Sequence, residues 1–161
     1  KEELKTGLYL ANLAKESLST HALLLLPFFL FLISAFISFS TGTSWGCFAI
    51  MIPIAIELSL QSGGNMVVAI SAVLSGAVYG DHTSPMSDTT ILSSIGAGCS
   101  LQSHFITQLP YAGICAIFAG AGFLMFSFTQ SLLPTFLICS LALIACFYFL
   151  KRKYGGELQG V

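Results

Sequence analysis

The stretch "GDHTSPMSDTT" at residues 80–90 places two aspartates, one histidine and five hydroxyl side chains around a single proline. Long apolar runs flank it on both sides, "MVVAISAVLSGAVY" at 66–79 and "ILSSIGAG" at 91–98. A charged side chain at the centre of a bilayer costs on the order of 3 kcal/mol, so an ionisable residue inside such a run indicates a function. Asp81, Asp88 and His82 are therefore the first candidates for functional residues.

The composition indicates a membrane protein rather than a soluble one. Of the 161 residues, 55% are hydrophobic and only 8% are charged, whereas about a quarter of the residues of a soluble domain are charged. The apolar runs are continuous and approach the ~20 residues that cross a bilayer as a helix. They lack the alternation of polar and apolar residues that is typical of outer-membrane barrels. The predicted fold class is all-α, a polytopic bundle of membrane helices.

The chain divides into one polar segment, five apolar segments and a basic tail. Residues 1–20 have the pattern of an amphipathic or connecting helix, and 21–150 form the membrane region. The apolar segments lie at about 22–39, 47–60, 66–97 (broken at 80–88), 109–129 and 132–150. "CSLQSHFITQ" at 99–108 is interpreted as a polar connector, and 151–161 as the tail.

The basic residues lie only near the two ends of the chain. Lys151, Arg152 and Lys153 directly follow an apolar run, which predicts a cytoplasmic C-terminus by the positive-inside bias. The chain does not begin with Met, and a polar stretch precedes the first apolar run. We therefore expect it to be the later half of a longer protein.

Two interruptions of the apolar pattern, "STGTSWG" at 40–46 and "GDHTSPMSD" at 80–88, indicate a binding site. At bilayer depth, unwound backbone survives only where protein or a water-filled cavity satisfies its polar groups. Segments interrupted by Gly or Pro are therefore a pointer to a transport site. Both interruptions consist of oxygen-bearing side chains and flexible backbone, which suits a hard cation such as Na⁺.

A local interpretation of the second interruption accounts for one of its acids. Ser84 and Pro85 have the pattern of a helix N-cap followed by proline at the first helical position. Asp88 would then lie in the first turn, where an acid complements the helix dipole. This explains Asp88 but leaves Asp81 and His82 without a structural reason.

The two interrupted motifs, "STGTSWG" (40–46) followed by "GDHTSPMSDTTILSS" (80–94), resemble the NhaC family of sodium/proton antiporters. That family belongs to a wider superfamily of ion transporters built from two inverted repeats. The resemblance implies a re-entrant or broken-helix pair and one half of an inverted-repeat transporter. It implies Na⁺/H⁺ exchange by alternating access in the cell membrane, or exchange coupled to malate or lactate. The partner would be an upstream repeat of the same transporter.

On this resemblance, Asp81 and Asp88 are the acids that hold either a proton or Na⁺. The remaining predicted site residues are oxygen donors, a neighbouring imidazole, and residues that allow the backbone to break: Thr41, Thr43, Ser44, Ser84, Thr89, His82, Gly42, Gly46, Gly80 and Pro85. Lipid, Na⁺ and H⁺ are the expected partners, and no cofactor or nucleic acid is expected. The sequence leaves open whether the protein forms a homo-oligomer.

Two other functions compete with a transporter. A membrane-embedded metalloenzyme would use Asp81, His82, Asp88 and His104, but their spacing does not match a helical ligand pair such as H-E-x-x-H. A purely structural subunit would use small residues such as "AGAGF" at 119–123 for helix contacts. The sequence favours a transporter and not an enzyme.

The path of the chain through the membrane has two alternatives. If "STGTSWG" is the tip of a hairpin, residues 22–60 enter and leave on one face, and the two ends of the chain lie on opposite faces. If 22–60 makes an odd number of crossings, both basic ends are cytoplasmic. The hairpin is ranked slightly ahead.

Overall fold

The computed structural model describes residues 24–154, and that part of the chain folds as helices without a strand. The helices are α1 (Leu26–Thr41), α2 (Ser44–Ser62), α3 (Met66–His82), α4 (Asp88–Gly96), α5 (Leu101–Thr129) and α6 (Leu132–Tyr154). Helices α2, α5 and α6 are long and apolar enough to cross a membrane, while α1 and α3 are shorter apolar helices. The predicted class, an all-α membrane protein, is confirmed. The amphipathic segment predicted at 1–20 lies outside the described residues.

The helix boundaries differ from the predicted ones at both interruptions and at the connector. In 40–46 only Gly42 and Thr43 leave the helical conformation, and the second interruption shrinks from 80–88 to 83–87. The predicted connector at 99–108 is mostly helical, because Ser100 caps α5 by accepting a hydrogen bond from the backbone N–H of Ser103 (3.2 Å). Helix α6 also continues into the predicted tail, through the three basic residues.

Helices α1 and α2 form an antiparallel hairpin. Gly42 ends α1 in the left-handed conformation (φ +68°), and its N–H donates to the carbonyl of Ser38 (2.8 Å). Leu26 and Ser59 line one cavity, so the beginning of α1 and the end of α2 lie at the same end of the bundle. The structure therefore has the hairpin of the first topological alternative.

Helix α3 runs parallel to α1 and packs very closely against it. A Cβ atom added to Gly76 would lie 2.2 Å from the carbonyl oxygen of Phe31, and one added to Gly80 would lie 2.2 Å from that of Ala35. Ser38 donates a hydrogen bond across the two helices to the carbonyl of Ala77 (2.6 Å). Small residues four apart let two helix backbones approach in this way, and polar side chains then bond between them.

Helices α5 and α6 complete the bundle on its outside. Phe123 of α5 packs against Phe31 of α1, with ring centroids 5.6 Å apart. Asn65 before α3 and Gln130 after α5 line the same cavity as Leu26, so these helix ends meet at one end of the bundle. Helix α6 starts beside that end and packs mainly on α5. Its basic last turn consequently lies at the opposite end.

Candidate functional site

Four helix ends meet at the end of the bundle opposite that cavity. Helices α1 and α3 finish there, and α2 and α4 begin there. A Cβ atom added to Gly42 would lie 2.9 Å from the carbonyl oxygen of Met86, so the two interruptions are in direct contact. The sequence placed both interruptions in one site, and the structure brings them together.

Asp81 lies at the centre of this meeting point. It occupies the last turn of α3 and is only 7% exposed. Its Oδ2 accepts a hydrogen bond from the hydroxyl of Ser44, the first residue of α2 (2.8 Å), and its Oδ1 accepts one from the hydroxyl of Ser87. One carboxylate thus joins the end of α3 to the starts of both neighbouring helices.

Ser87 is the N-cap of α4 and is fully buried. Its hydroxyl oxygen accepts a hydrogen bond from the backbone N–H of Thr89 (3.2 Å) and lies 2.7 Å from the hydroxyl of Thr89. A serine at this position normally satisfies one unpaired N–H of the first helical turn. Here the same hydroxyl also holds Asp81, so the start of α4 and the carboxylate are connected through one atom.

The prediction that α4 begins at Pro85, with Ser84 as its N-cap, is wrong. The N–H of Ser87 donates to the carbonyl of Ser84 (3.3 Å), which closes a turn over 84–87 with Pro85 at its second position. Proline is favoured at the second position of such a turn, because the ring fixes the proline φ near the value that the turn requires. The hydroxyl of Ser84, which is fully buried, accepts from the N–H of Met86 (3.3 Å) and stabilises the turn.

The prediction that Gly80 and Gly46 break the backbone is also wrong. Both lie inside helices, Gly46 in α2 and Gly80 in α3, and neither has a positive φ. Gly80 is needed for a different reason, because a side chain there would collide with the backbone of α1. Gly42 is the glycine that bends the chain, with its φ of +68°.

Asp88 and His82 lie beside the Asp81 cluster and are exposed. Asp88 occupies the first turn of α4, where the local interpretation placed it, and its side chain makes no hydrogen bond within residues 24–154. His82 turns its Nδ1 to the carbonyl of Val78, 2.9 Å away and one turn back along its own helix. The two predicted acids therefore occupy different environments.

The predicted oxygen donors also separate into two groups. Ser44 is buried and bonded to Asp81, whereas Thr41 is exposed and donates to the carbonyl of Ile37 in its own helix (2.9 Å). Within the described part of the chain, the side chain of Thr43 makes no hydrogen bond. Thr89 is exposed and reaches Asp81 only through Ser87.

The donor set of the cluster fits a hard cation better than a transition metal. The Asp81 carboxylate and the hydroxyl of Ser44 offer oxygen ligands. The carbonyl ends of α1 and α3 bring partial negative charge and the starts of α2 and α4 partial positive charge, so the net attraction for a cation comes from the carboxylate. Across residues 24–154, no three His, Cys, Asp or Glu side chains form a group that could hold a metal ion. Oxygen ligands are those that hard cations take.

Sequence reasoning missed Ser87 and Ser38, two buried serines that fix the cluster. Ser87 was not among the predicted site residues, although its position immediately before "DTTILSS" is itself a typical N-cap signal. Ser38 had no signal beyond being a hydroxyl in an apolar run. Its partner is a backbone carbonyl of α3, and nothing in the sequence marks that carbonyl.

Comparison with known proteins gives a family and partial relatives. Residues 2–128 match the model of the Na⁺/H⁺ antiporter family. An uncharacterized protein of Haemophilus influenzae is 41% identical over 152 residues, which cover 94% of this chain and 29% of that protein. A protein of the same species named an uncharacterized Na⁺/H⁺ antiporter is 37% identical over 79 residues, 49% of this chain and 17% of that protein.

A Bacillus subtilis protein named malate-2H⁺/Na⁺-lactate antiporter is 31% identical over 98 residues, 58% of this chain and 21% of that protein. No solved structure matches the chain significantly. The chain therefore spans less than a third of the length of these relatives. The family match covers well over half of the chain, and the chain belongs to the Na⁺/H⁺ antiporter family, whose members are transporters and not enzymes.

Proposed function

We propose that this chain is part of a secondary active transporter that exchanges Na⁺ for H⁺ across the cell membrane. The observation that carries the proposal is the position of Asp81, a carboxylate that is 7% exposed where two interrupted helices touch. A buried acid in a membrane segment is costly unless it is used. The family of the chain supports the identity of the two ions.

Exchange follows if both ions need the same carboxylate. Ionised Asp81, with the hydroxyl of Ser44, would hold Na⁺. Protonation removes the charge that attracts the cation, so binding of the two ions is mutually exclusive. A charged, empty site is expensive to move through an apolar environment, and only the loaded forms would then alternate between the two sides.

The assignment to a subfamily and to part of a longer transporter rests on the sequence motifs and on the small share of the relatives' length that the chain covers. We place the chain in the NhaC subfamily and interpret it as one half of an inverted-repeat transporter, with the other repeat upstream. The relatives are more than three times as long as the matched regions, which supports an interpretation of this chain as part of a longer transporter. The basic last turn of α6 supports a cytoplasmic C-terminus.

A cation-coupled exchange of organic acids is the second candidate function. It is favoured by the likeness to the Bacillus subtilis protein whose name states that it exchanges malate with protons for lactate with Na⁺. An organic anion would need a cationic partner, and the side chains that bond to Asp81, Ser44 and Ser87, are uncharged. Such a partner would have to come from another part of the transporter.

The test is Na⁺-driven proton flux in proteoliposomes that contain the full protein. In the pH range where the site is mostly protonated, a tenfold rise in proton concentration should raise the Na⁺ half-saturation about tenfold, as competition for one group requires. Asp81→Asn should reduce the flux to the background of empty liposomes, because the amide holds neither ion by charge. Glu57→Gln is the matched control, since Glu57 bonds within α2 to Gln61 and not to the cluster.

Two results would contradict the proposal. Normal exchange in Asp81→Asn would exclude this carboxylate as the exchanged site. Flux that appears only when malate or lactate is present, and that is carried by the anion, would favour the second candidate instead.

A further inference from the structure

We propose that protons reach Asp81 through a two-hydroxyl relay, Thr89 to Ser87 to Asp81, on the opposite carboxylate oxygen from the one that faces Na⁺. The inference rests on the proposed Na⁺/H⁺ exchange and adds the route of the proton to it. It assigns to Ser87 and Thr89 a role different from that of cation ligands.

The two oxygens of Asp81 have different neighbours. Oδ2 accepts from Ser44, which belongs to the hairpin tip, while Oδ1 accepts from Ser87, which belongs to the start of α4. A hydroxyl has one hydrogen to donate and two lone pairs that accept. The hydroxyl of Ser44 donates to Oδ2 and accepts nothing within residues 24–154, so both of its lone pairs are available to a cation.

Ser87 has no lone pair left for a cation. Its hydrogen goes to Oδ1, so in the 2.7 Å contact with Thr89 the hydroxyl of Thr89 must be the donor. The oxygen of Ser87 accepts that bond and a second one from the backbone N–H of Thr89 (3.2 Å). The hydrogen and both lone pairs of this buried hydroxyl are therefore in use. Its hydrogen bonds run in one direction, from Thr89 towards the carboxylate.

The chain of hydroxyls leads from a buried acid to the surface. Asp81 and Ser87 are buried, whereas Thr89 is exposed. A proton arriving from water forms an O–H bond at the oxygen of Thr89, whose own hydrogen passes to Ser87. The hydrogen of Ser87 passes to Oδ1. One proton moves from water to the carboxylate, and each broken O–H bond is matched by a new one. After Oδ1 has released this proton, rotation of the two hydroxyls restores the starting arrangement.

The experiment compares Thr89→Val with Thr89→Ser in the full protein in proteoliposomes. Valine keeps the shape of threonine but removes the hydroxyl, and serine keeps the hydroxyl. Thr90→Val is the matched control, because the Thr90 hydroxyl bonds to the carbonyl of His82 (3.4 Å), outside the relay. Proton flux at saturating Na⁺, the Na⁺ half-saturation, and the ratio of rates in H₂O and D₂O are measured for each.

Thr89→Val should lower the maximal proton flux by about 10- to 100-fold, at or below the low end of what a positioned proton donor contributes. Its Na⁺ half-saturation should stay within about twofold of the wild type, because Ser44 and Oδ2 are untouched. Thr89→Ser should keep the maximal proton flux and the ratio of rates in H₂O and D₂O of the wild type. Thr89→Ala also lacks the hydroxyl and should reproduce the valine result, which would show that the loss comes from the missing hydroxyl and not from altered packing of α4.

Other results overturn the relay and separate it from the exchange reaction. A raised Na⁺ half-saturation with an unchanged maximal rate would make Thr89 a cation ligand, against the relay. Unchanged rates in Thr89→Val and Thr89→Ala would also overturn it, while the exchange itself would stand. Absence of Na⁺-dependent proton flux in the wild type would overturn both.

Discussion

The inner three helices and the outer two are built on different principles. Helices α1, α2 and α3 form what we call the inner unit, in which α1 and α3 contact each other through glycine and serine, with backbones close enough to exclude a Cβ atom. Helices α5 and α6, the outer pair, bury few of their side chains, and in α5 the buried residues are Gly120, Phe126 and Ser127. Among the described residues of α6, Thr135 alone is buried.

This difference follows from what each region has to hold. Asp81 needs the ends of three helices at fixed distances, and close backbone packing with hydrogen bonds between helices supplies that rigidity. The outer pair needs only an apolar surface of sufficient length. A given type of substitution should therefore have opposite or unequal effects in the two regions.

The largest difference is expected for glycine to alanine in the two regions. Gly80→Ala should lower the free energy of unfolding by about 3 kcal/mol, because the new Cβ meets backbone atoms of α1 that cannot move aside alone. Gly113→Ala in α5 should be neutral or stabilising by up to about 1 kcal/mol, because no atom lies within 4 Å of its Cβ and alanine favours helix. Thermal unfolding in detergent measures both.

The Gly80→Ala and Gly113→Ala variants also test whether the close packing of α3 on α1 holds Asp81 in position. Gly80→Ala should reduce Na⁺ affinity even in the folded fraction, since displacement of α3 moves Asp81. Equal stability of the two variants would mean that the inner unit adapts freely, and the proposed rigidity would be wrong.

Hydropathy and glycine patterns in the sequence predicted most of the architecture. The all-α membrane fold, five apolar segments and the two interruptions follow from composition and from where Gly, Pro and charges stand. The interruptions proved shorter than predicted, because serine and threonine side chains in "STGTSWG" and "GDHTSPMSD" pair with nearby backbone and let helix extend to Thr41 and His82. Polar composition alone cannot distinguish such pairing from an unwound backbone.

The candidate site was predictable in its residue types but not in its geometry. Asp81 was chosen because a buried acid is costly, and it is buried. Gly80, in the same motif, was predicted to break the backbone. Its actual role depends on the carbonyl of Ala35, forty-five positions earlier in the chain, which leaves no room for a side chain. The role of Ser87 depends likewise on which way a hydroxyl points. Contacts of this kind arise from the packing of distant segments, which a single sequence does not display.

A smaller difference is expected between two buried serines, Ser38 of α1 and Ser127 of α5. Ser38 donates to the carbonyl of Ala77 in another helix (2.6 Å), whereas Ser127 donates to the carbonyl of Phe123 in its own helix (2.9 Å). Ser38→Ala should cost about 1 kcal/mol of stability, the usual net value of one hydrogen bond. Ser127→Ala should be close to neutral, because a carbonyl within α5 also accepts a backbone N–H. A larger cost for Ser127→Ala in thermal unfolding would reverse the comparison.

The smallest effect is expected at Asp88, which stands at the border between the two regions. Its side chain is exposed and makes no hydrogen bond within residues 24–154, so it attracts cations only as a screened charge near the cluster. Asp88→Asn should raise the Na⁺ half-saturation about two- to fivefold and leave the maximal rate unchanged, in the range of exposed charge interactions. The effect should disappear in about 1 M choline chloride, where the Debye length is near 3 Å. The loss in Asp81→Asn should persist at that salt concentration, because a buried carboxylate is not screened. A salt-independent loss of exchange in Asp88→Asn would instead show that both acids hold the transported ion, as the sequence motif alone had suggested.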